Sequence, residues 1–181
     1  EARTNLLTYS SEFDNAAWGK FALTVAANTT TAPDGTLTAD TATVGSGGSV
    51  FQKVAFPAST TGSISIWIKS SATGGASHAR VTTNNGAAWS TGISELITLT
   101  NEWVRYEVVG TIQTGSTNAD IHIGAIKIDG TNDALCVGNL DIWGAQFEAA
   151  SAPSSYIPTT TAAVTRNADV LSYDTANWYA D

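Results

Sequence analysis

Ser63-Ile64-Ser65-Ile66-Trp67-Ile68-Lys69 alternates side chains with a period of two. Strand side chains point to opposite faces in turn, so this run predicts a β-strand with Ile64, Ile66 and Ile68 in a core and Trp67 on the other surface. A large indole aimed away from the core has to be covered by something. Either a sugar ring stacks on it, with neighbouring polar groups bonding the hydroxyls, or a loop of its own chain lies over it. Trp67 is therefore the first candidate binding residue, and Lys69, two positions on, shares its side.

Working outward, the same texture recurs. Short β-branched runs separated by Gly, Asn, Asp and Ser clusters predict strands over 36–44, 48–56, 78–83, 89–100, 103–109, 119–128 and 135–148. Ala32-Pro33-Asp34-Gly35 is a turn. So many short strands predict an all-β fold, an antiparallel β-sandwich of jelly-roll type. Its core is expected to contain Ile64, Ile66, Ile68, Val104, Tyr106, Val108, Ile121 and Ile123, with Trp18 as a plug. The sandwich is expected to span residues 1–158. Residues 159–181 read as an extension or linker toward a following module, and a chain that starts without methionine reads as part of something longer.

Composition narrows the function. The 181 residues carry 13% charged side chains and a formal net charge of −8. The eight lysines and arginines are scattered singly, which excludes the basic patch that nucleic acid requires. With Cys136 as the sole cysteine, no intrachain disulfide exists. No apolar stretch reaches the ~20 residues that span a bilayer. Nucleophile elbows, HExxH and P-loop motifs are absent, and two histidines, His78 and His122, are too few for a His-rich metal centre. Glu95, Glu102, Glu107, Asp120 and Asp141 lie on or beside predicted strands, but no pair is placed by spacing for glycoside hydrolysis. The loop 129–133 lacks the ligand spacing of an EF-hand. Binding without catalysis is the expectation.

His122, between Ile121 and Ile123, alternates outward, and a neutral imidazole can donate to and accept from hydroxyls or bond a cross-strand partner. Arg80, near the presumed face, and Asn84, in the turn before Trp89, join the candidate ligand-binding set of Trp67, Trp89, His122, Lys69, Arg80 and Asn84. For Lys69 and Arg80 the alternative is solvated surface charge.

The motifs Arg3-Thr4-Asn5-Leu6-Leu7, Ile142-Trp143-Gly144-Ala145-Gln146-Phe147-Glu148, Ser155-Tyr156-Ile157-Pro158-Thr159 and Thr165-Arg166-Asn167-Ala168-Asp169-Val170 occur in order along the chain. In these the chain resembles a jelly-roll module of bacteriophage tail and tail-fibre proteins. More distantly it resembles the xylan- and glucan-binding modules of families four and nine. That second resemblance implies Trp67 as the stacking platform, Trp89 as a second aromatic and His122 as a hydrogen-bonding residue. It also implies polysaccharide or cell-surface glycan as partner, other tail modules as neighbours, and an extracellular or virion location. Those families hold a structural calcium. Asp14 is the candidate ligand from the N-terminal part, whereas Trp143 and Gly144 stand where an aspartate of the last strand is expected.

Overall fold

The computed structural model describes residues 1–84, 92–111, 117–127 and 129–168. The described strands, in chain order, are β1 (Arg3–Asn5), β2 (Gly19–Thr30), β3 (Ala39–Ala55), β4 (Thr61–Ser70), β5 (His78–Asn84), β6 (Ser94–Thr98), β7 (Val104–Thr111), β8 (Asn118–Gly124), β9 (Gly138–Glu148) and β10 (Val164–Arg166). All pair antiparallel, in the order β6-β5-β8-β3-β9-β4-β7 with β2 alongside β3 and a separate β1–β10 pair.

Strand β3 makes this path into a sandwich. Residues Ser49–Ala55 pair with β8, whereas Asp40–Val44 pair with β9. Between them lies Gly45-Ser46-Gly47-Gly48, where a Cβ on Gly48 would stand 2.3 Å from the Ala22 carbonyl oxygen. Close approach of backbone to backbone there demands glycine, and the strand passes from one sheet to the other. Ile64, Ile66, Ile68 and Ile142 from one half meet Val50, Val81, Ile121 and Ile123 from the other in a single buried cluster. Burying side chains of this size contributes about 1.5–3 kcal/mol each.

The expected all-β sandwich is the fold found. Trp18 is a plug: it is buried, packs 4.8 Å from Phe13 between ring centroids, and its indole N–H donates to the Tyr9 carbonyl at 2.9 Å. Val104 differs from expectation. It has the core phase, opposite Ile68, but heads β7, which pairs with β4 alone, so it stays exposed. Tyr106 is half-buried and donates to the Thr98 carbonyl. Strand β9 starts later than the predicted Leu135, because Asp133 caps a single 3-10 turn over Ala134–Cys136. Burial pushes the Cys136 thiol up to about 12, which keeps it protonated.

The described part of the tail folds back. The Tyr9 amide donates to Thr160, the Ser10 amide to Thr159, and β10 pairs with β1. Asn5 clamps the same region: its buried amide donates to Ala145 and Ile157 carbonyls and accepts from the Leu7 and Phe147 amides.

Candidate functional site

Trp67 and His122 occupy the opposite outer faces of the sandwich. Directly paired residues of antiparallel strands point to the same side. Trp67 pairs with Arg105 and Trp143 in the β9-β4-β7 half, and His122 with Phe51 and Thr82 in the β5-β8-β3 half. The core lies between the halves, so the single face expected to hold both residues does not exist. Trp89 lies outside the described residues.

On the Trp67 side the chain covers itself. Between Ser65 opposite Gln146 and Trp67 opposite Trp143 the register shifts by one residue, at Gly144 with φ +66°. This bulge brings Trp143 outward against Trp67 while Ala145 and Phe147 stay in the core. Trp67, Trp103, Trp143 and Tyr156 then pack with Ala32 and Ala39 into a second apolar cluster. The Trp103 indole donates to Thr31, the Trp143 indole to Thr38, and the Tyr156 hydroxyl bonds Ser10. Lys69 is committed as well, 3.6 Å from Asp141 and 5.1 Å above the Trp103 ring. Further along, Arg105, Gln146 and Glu148 tie down the backbone of residues 154–157. Trp67 is partly buried in this cluster.

The other outer face carries a groove of about 400 Å³, lined by Phe21, Ser49, Phe51, Asp120, His122, Ile126 and Gly130. Strands β3 and β8 supply its floor, Phe21 of β2 one wall, and the loop after β8 the other. The Phe51 ring lies where a Cβ on Gly19 would be, and it stacks on His122 with 4.9 Å between centroids and 22° between planes. His122 Nδ1 is 3.1 Å from Ser49 Oγ, and Nε2 is 3.2 Å from the Asn84 amide nitrogen. That amide nitrogen can only donate, so Nε2 accepts and Nδ1 carries the proton. Burial holds the imidazole down at about 4, hence neutral at ordinary pH. His122 thus contacts Ser49, Phe51 and Asn84.

Arg80 is also on this face but is turned to the wall, donating from Nε to Asp133 at 2.8 Å and from a terminal nitrogen to Ser94. Thus the structure brings His122, Asn84 and Arg80 to one side and puts Trp67 and Lys69 on the other. Phe21, Phe51 and Asp120 line the groove and are absent from the candidate set read from the sequence. Phe51 had a legible signal: in Val50-Phe51-Gln52-Lys53-Val54 it shares the outward phase with Lys53, as Trp67 does with Lys69. A second depression, of about 350 Å³ beside Leu6, Thr8 and Gln52, has no aromatic wall, and the Gln52 amide is spent on Thr8.

The residues present do not fit the calcium site that the family resemblance implies. The carbonyls of Asp14, Asn15 and Trp18 each accept a 3.0 Å bond from the Lys20 ammonium, which supplies the positive charge at this turn itself. Both Asp40 oxygens accept backbone amides, from Phe13 and Asn28. Among the described residues no three acidic, His or Cys side chains converge. Nor do two carboxylates meet in the groove: Glu95, Glu102 and Glu107 are exposed elsewhere, and Asp141 faces Lys69.

No protein-family model matches the chain, and no curated protein does. Solved structures do. The enzymatically active domain of tailspike protein 4 from bacteriophage CBA120 superposes with a TM-score of 0.58 at 17% identity, over 79% of this chain and 21% of that one. The xylan-binding CBM22-1 domain of Xyn10C from Paenibacillus barcinonensis gives 0.54 at 10% identity, over 80% of this chain and 91% of that domain. TmCBM61, solved with β-1,4-galactotriose, gives 0.52 at 15% identity, over 79% and 97%. The chain thus spans about a fifth of that tailspike domain but nearly the full length of the two modules, and what it shares with them is the jelly-roll sandwich fold.

Proposed function

We propose that this module binds a polysaccharide chain without cleaving it, in the groove between Phe21 and Ile126. The observation that carries this reading is the aromatic lining of the groove: Phe21 is 61% exposed on one wall, and Phe51 is held in place by Gly19 and by the His122 ring stacked on it. An exposed ring that walls a concavity offers a stacking surface, and sugar rings present the flat C–H faces that stack on aromatic side chains. The fold it shares with a xylan-binding domain and with a module solved with β-1,4-galactotriose supports the same reading. Stacking is worth about 0.5–1.5 kcal/mol beyond area burial, and a flexible glycan loses freedom on binding, so the affinity is expected between micromolar and millimolar. One lone carboxylate in the groove favours binding over hydrolysis, which needs two.

Calorimetric titration with xylan, β-glucan and bacterial-surface oligosaccharides tests it. At least one should bind the parent protein, and Phe21→Ala should weaken that binding about tenfold with an unchanged melting temperature. A parent that binds none of these sugars, or a Phe21→Ala variant as tight as the parent, overturns the reading.

The resemblance to tail-fibre modules and the fold shared with a phage tailspike favour a setting in a phage tail or fibre, outside the cell or on the virion. The rival use there is a structural module that joins or oligomerises its neighbours. Light scattering that shows stable oligomers, together with silence toward every glycan, is the result that reading requires.

A further inference from the structure

Among the described residues, Asp120 is the groove's one ionisable side chain besides the neutral His122. Its Oδ1 is shut off from water and has no hydrogen-bond partner among the described residues. Burial raises this carboxyl and Lys53, its cross-strand neighbour, opposes the rise. Leaving a buried acceptor unpaired is costly, and the cost is recovered when a donor reaches it. The residue as a whole is half-buried, so the open side of the carboxylate can accept from a hydroxyl that enters the groove.

The cations nearby do not line the groove. Arg80 is held by Asp133 and Ser94, Lys53 borders the neighbouring depression, and Lys127 sits in the loop beyond Ile126. The whole chain carries −8. An incoming sugar therefore meets a half-buried carboxylate and, among the described residues, no lining cation. A hydroxyl-bearing ring is welcome, whereas a ring carrying its own carboxylate adds a like charge in a partly desolvated place.

We infer that Asp120 makes this groove selective for neutral glycans over those that carry carboxylates, such as uronic-acid polymers. The inference rests on the groove being the sugar site. The test titrates the parent, Phe21→Ala, Asp120→Asn and Asp120→Ala proteins with neutral xylo- and gluco-oligosaccharides and with oligogalacturonates of the same length, at low and high salt.

The parent should bind a neutral oligosaccharide at least tenfold tighter than its acidic counterpart, with the gap narrowing in salt. Asp120→Asn, which keeps the shape, should close most of the gap by gaining affinity for the acidic chains. Asp120→Ala should lose several-fold on the neutral ones. Thermal melts confirm that each variant is folded. If Phe21→Ala binds as the parent does, or if no sugar binds, the groove reading fails and this inference with it. If Phe21→Ala loses binding but the parent takes acidic chains as tightly as neutral ones, or Asp120→Asn leaves the gap unchanged, the groove stands and the selectivity assigned to Asp120 is overturned.

Discussion

A neutral imidazole wedged between Ser49, Asn84 and the Phe51 ring ties stability to pH. Burial holds His122 at about 4, against 6.5 for the free side chain. Between those values the unfolded chain takes up a proton that the native protein refuses, so stability is full above about pH 6.5 and falls as the pH drops toward 4. The loss is on the order of 3 kcal/mol. Asp40 and Asp120, raised by burial, act in the opposite sense: they hold protons in the native state, and that contribution is lost as pH rises. Comparing parent with His122→Gln in denaturant melts from pH 4 to 7 isolates the histidine. The parent's stability should drop more steeply over that range, and parallel curves would refute the assignment. Only half of this environment was legible beforehand. Alternation announces that His122, Trp67 and Phe51 leave the core, but it says nothing of what lies over them. Trp67 packs, partly buried, in the cluster that holds Trp103, Trp143 and Tyr156, and Phe51 lies beside a groove, because of segments that are remote in sequence from either.

At the scale of elements, period-two patterning located β4, β8 and the middle of β9 because each has one face in the core. It failed where a strand changes phase or partner. The Gly144 bulge reverses the phase within β9, and β3 changes sheets at Gly45–Gly48, so neither follows from simple alternation. The tail is the clearest case: Thr159 to Arg166 is polar, with little apolar pattern, yet it returns by backbone bonds to Tyr9 and Ser10 and by β10 to β1. Thr159 is buried, and its amide bonds Ser10 Oγ. The motifs that carry the family resemblance thus build a clasp between the N-terminal segment and the residues after β9, away from the groove. Buried hydrogen bonds contribute about 1 kcal/mol each, so a chain ending at residue 158 should be less stable than one ending at 168 by roughly 2–4 kcal/mol. Its melting temperature should fall by on the order of 10 °C. Equal melting temperatures for the two chains would show that the clasp adds nothing.

For the molecule as a whole, the proposed function gives the two outer faces separate duties, because a continuous core divides them. Trp67→Ala removes part of the packed Trp103–Trp143–Tyr156 cluster, and it should cost about 2 kcal/mol, below the ~3–5 of a fully buried tryptophan since one side of the indole reaches solvent. Phe21→Ala deletes an exposed ring and should change stability by less than about 0.5 kcal/mol. Sugar binding is expected to respond the other way round, unchanged in Trp67→Ala below its melting temperature and weakened in Phe21→Ala. The two sites share no partners, so the double variant should show the stability loss of one and the affinity loss of the other, additive within about 0.5 kcal/mol. Calorimetry and thermal melts on the four proteins read both axes. If Trp67→Ala weakened glycan binding as strongly as Phe21→Ala, the roof of residues 31–38 and 153–157 would have to open for ligand, and the sugar site would belong on the tryptophan face instead.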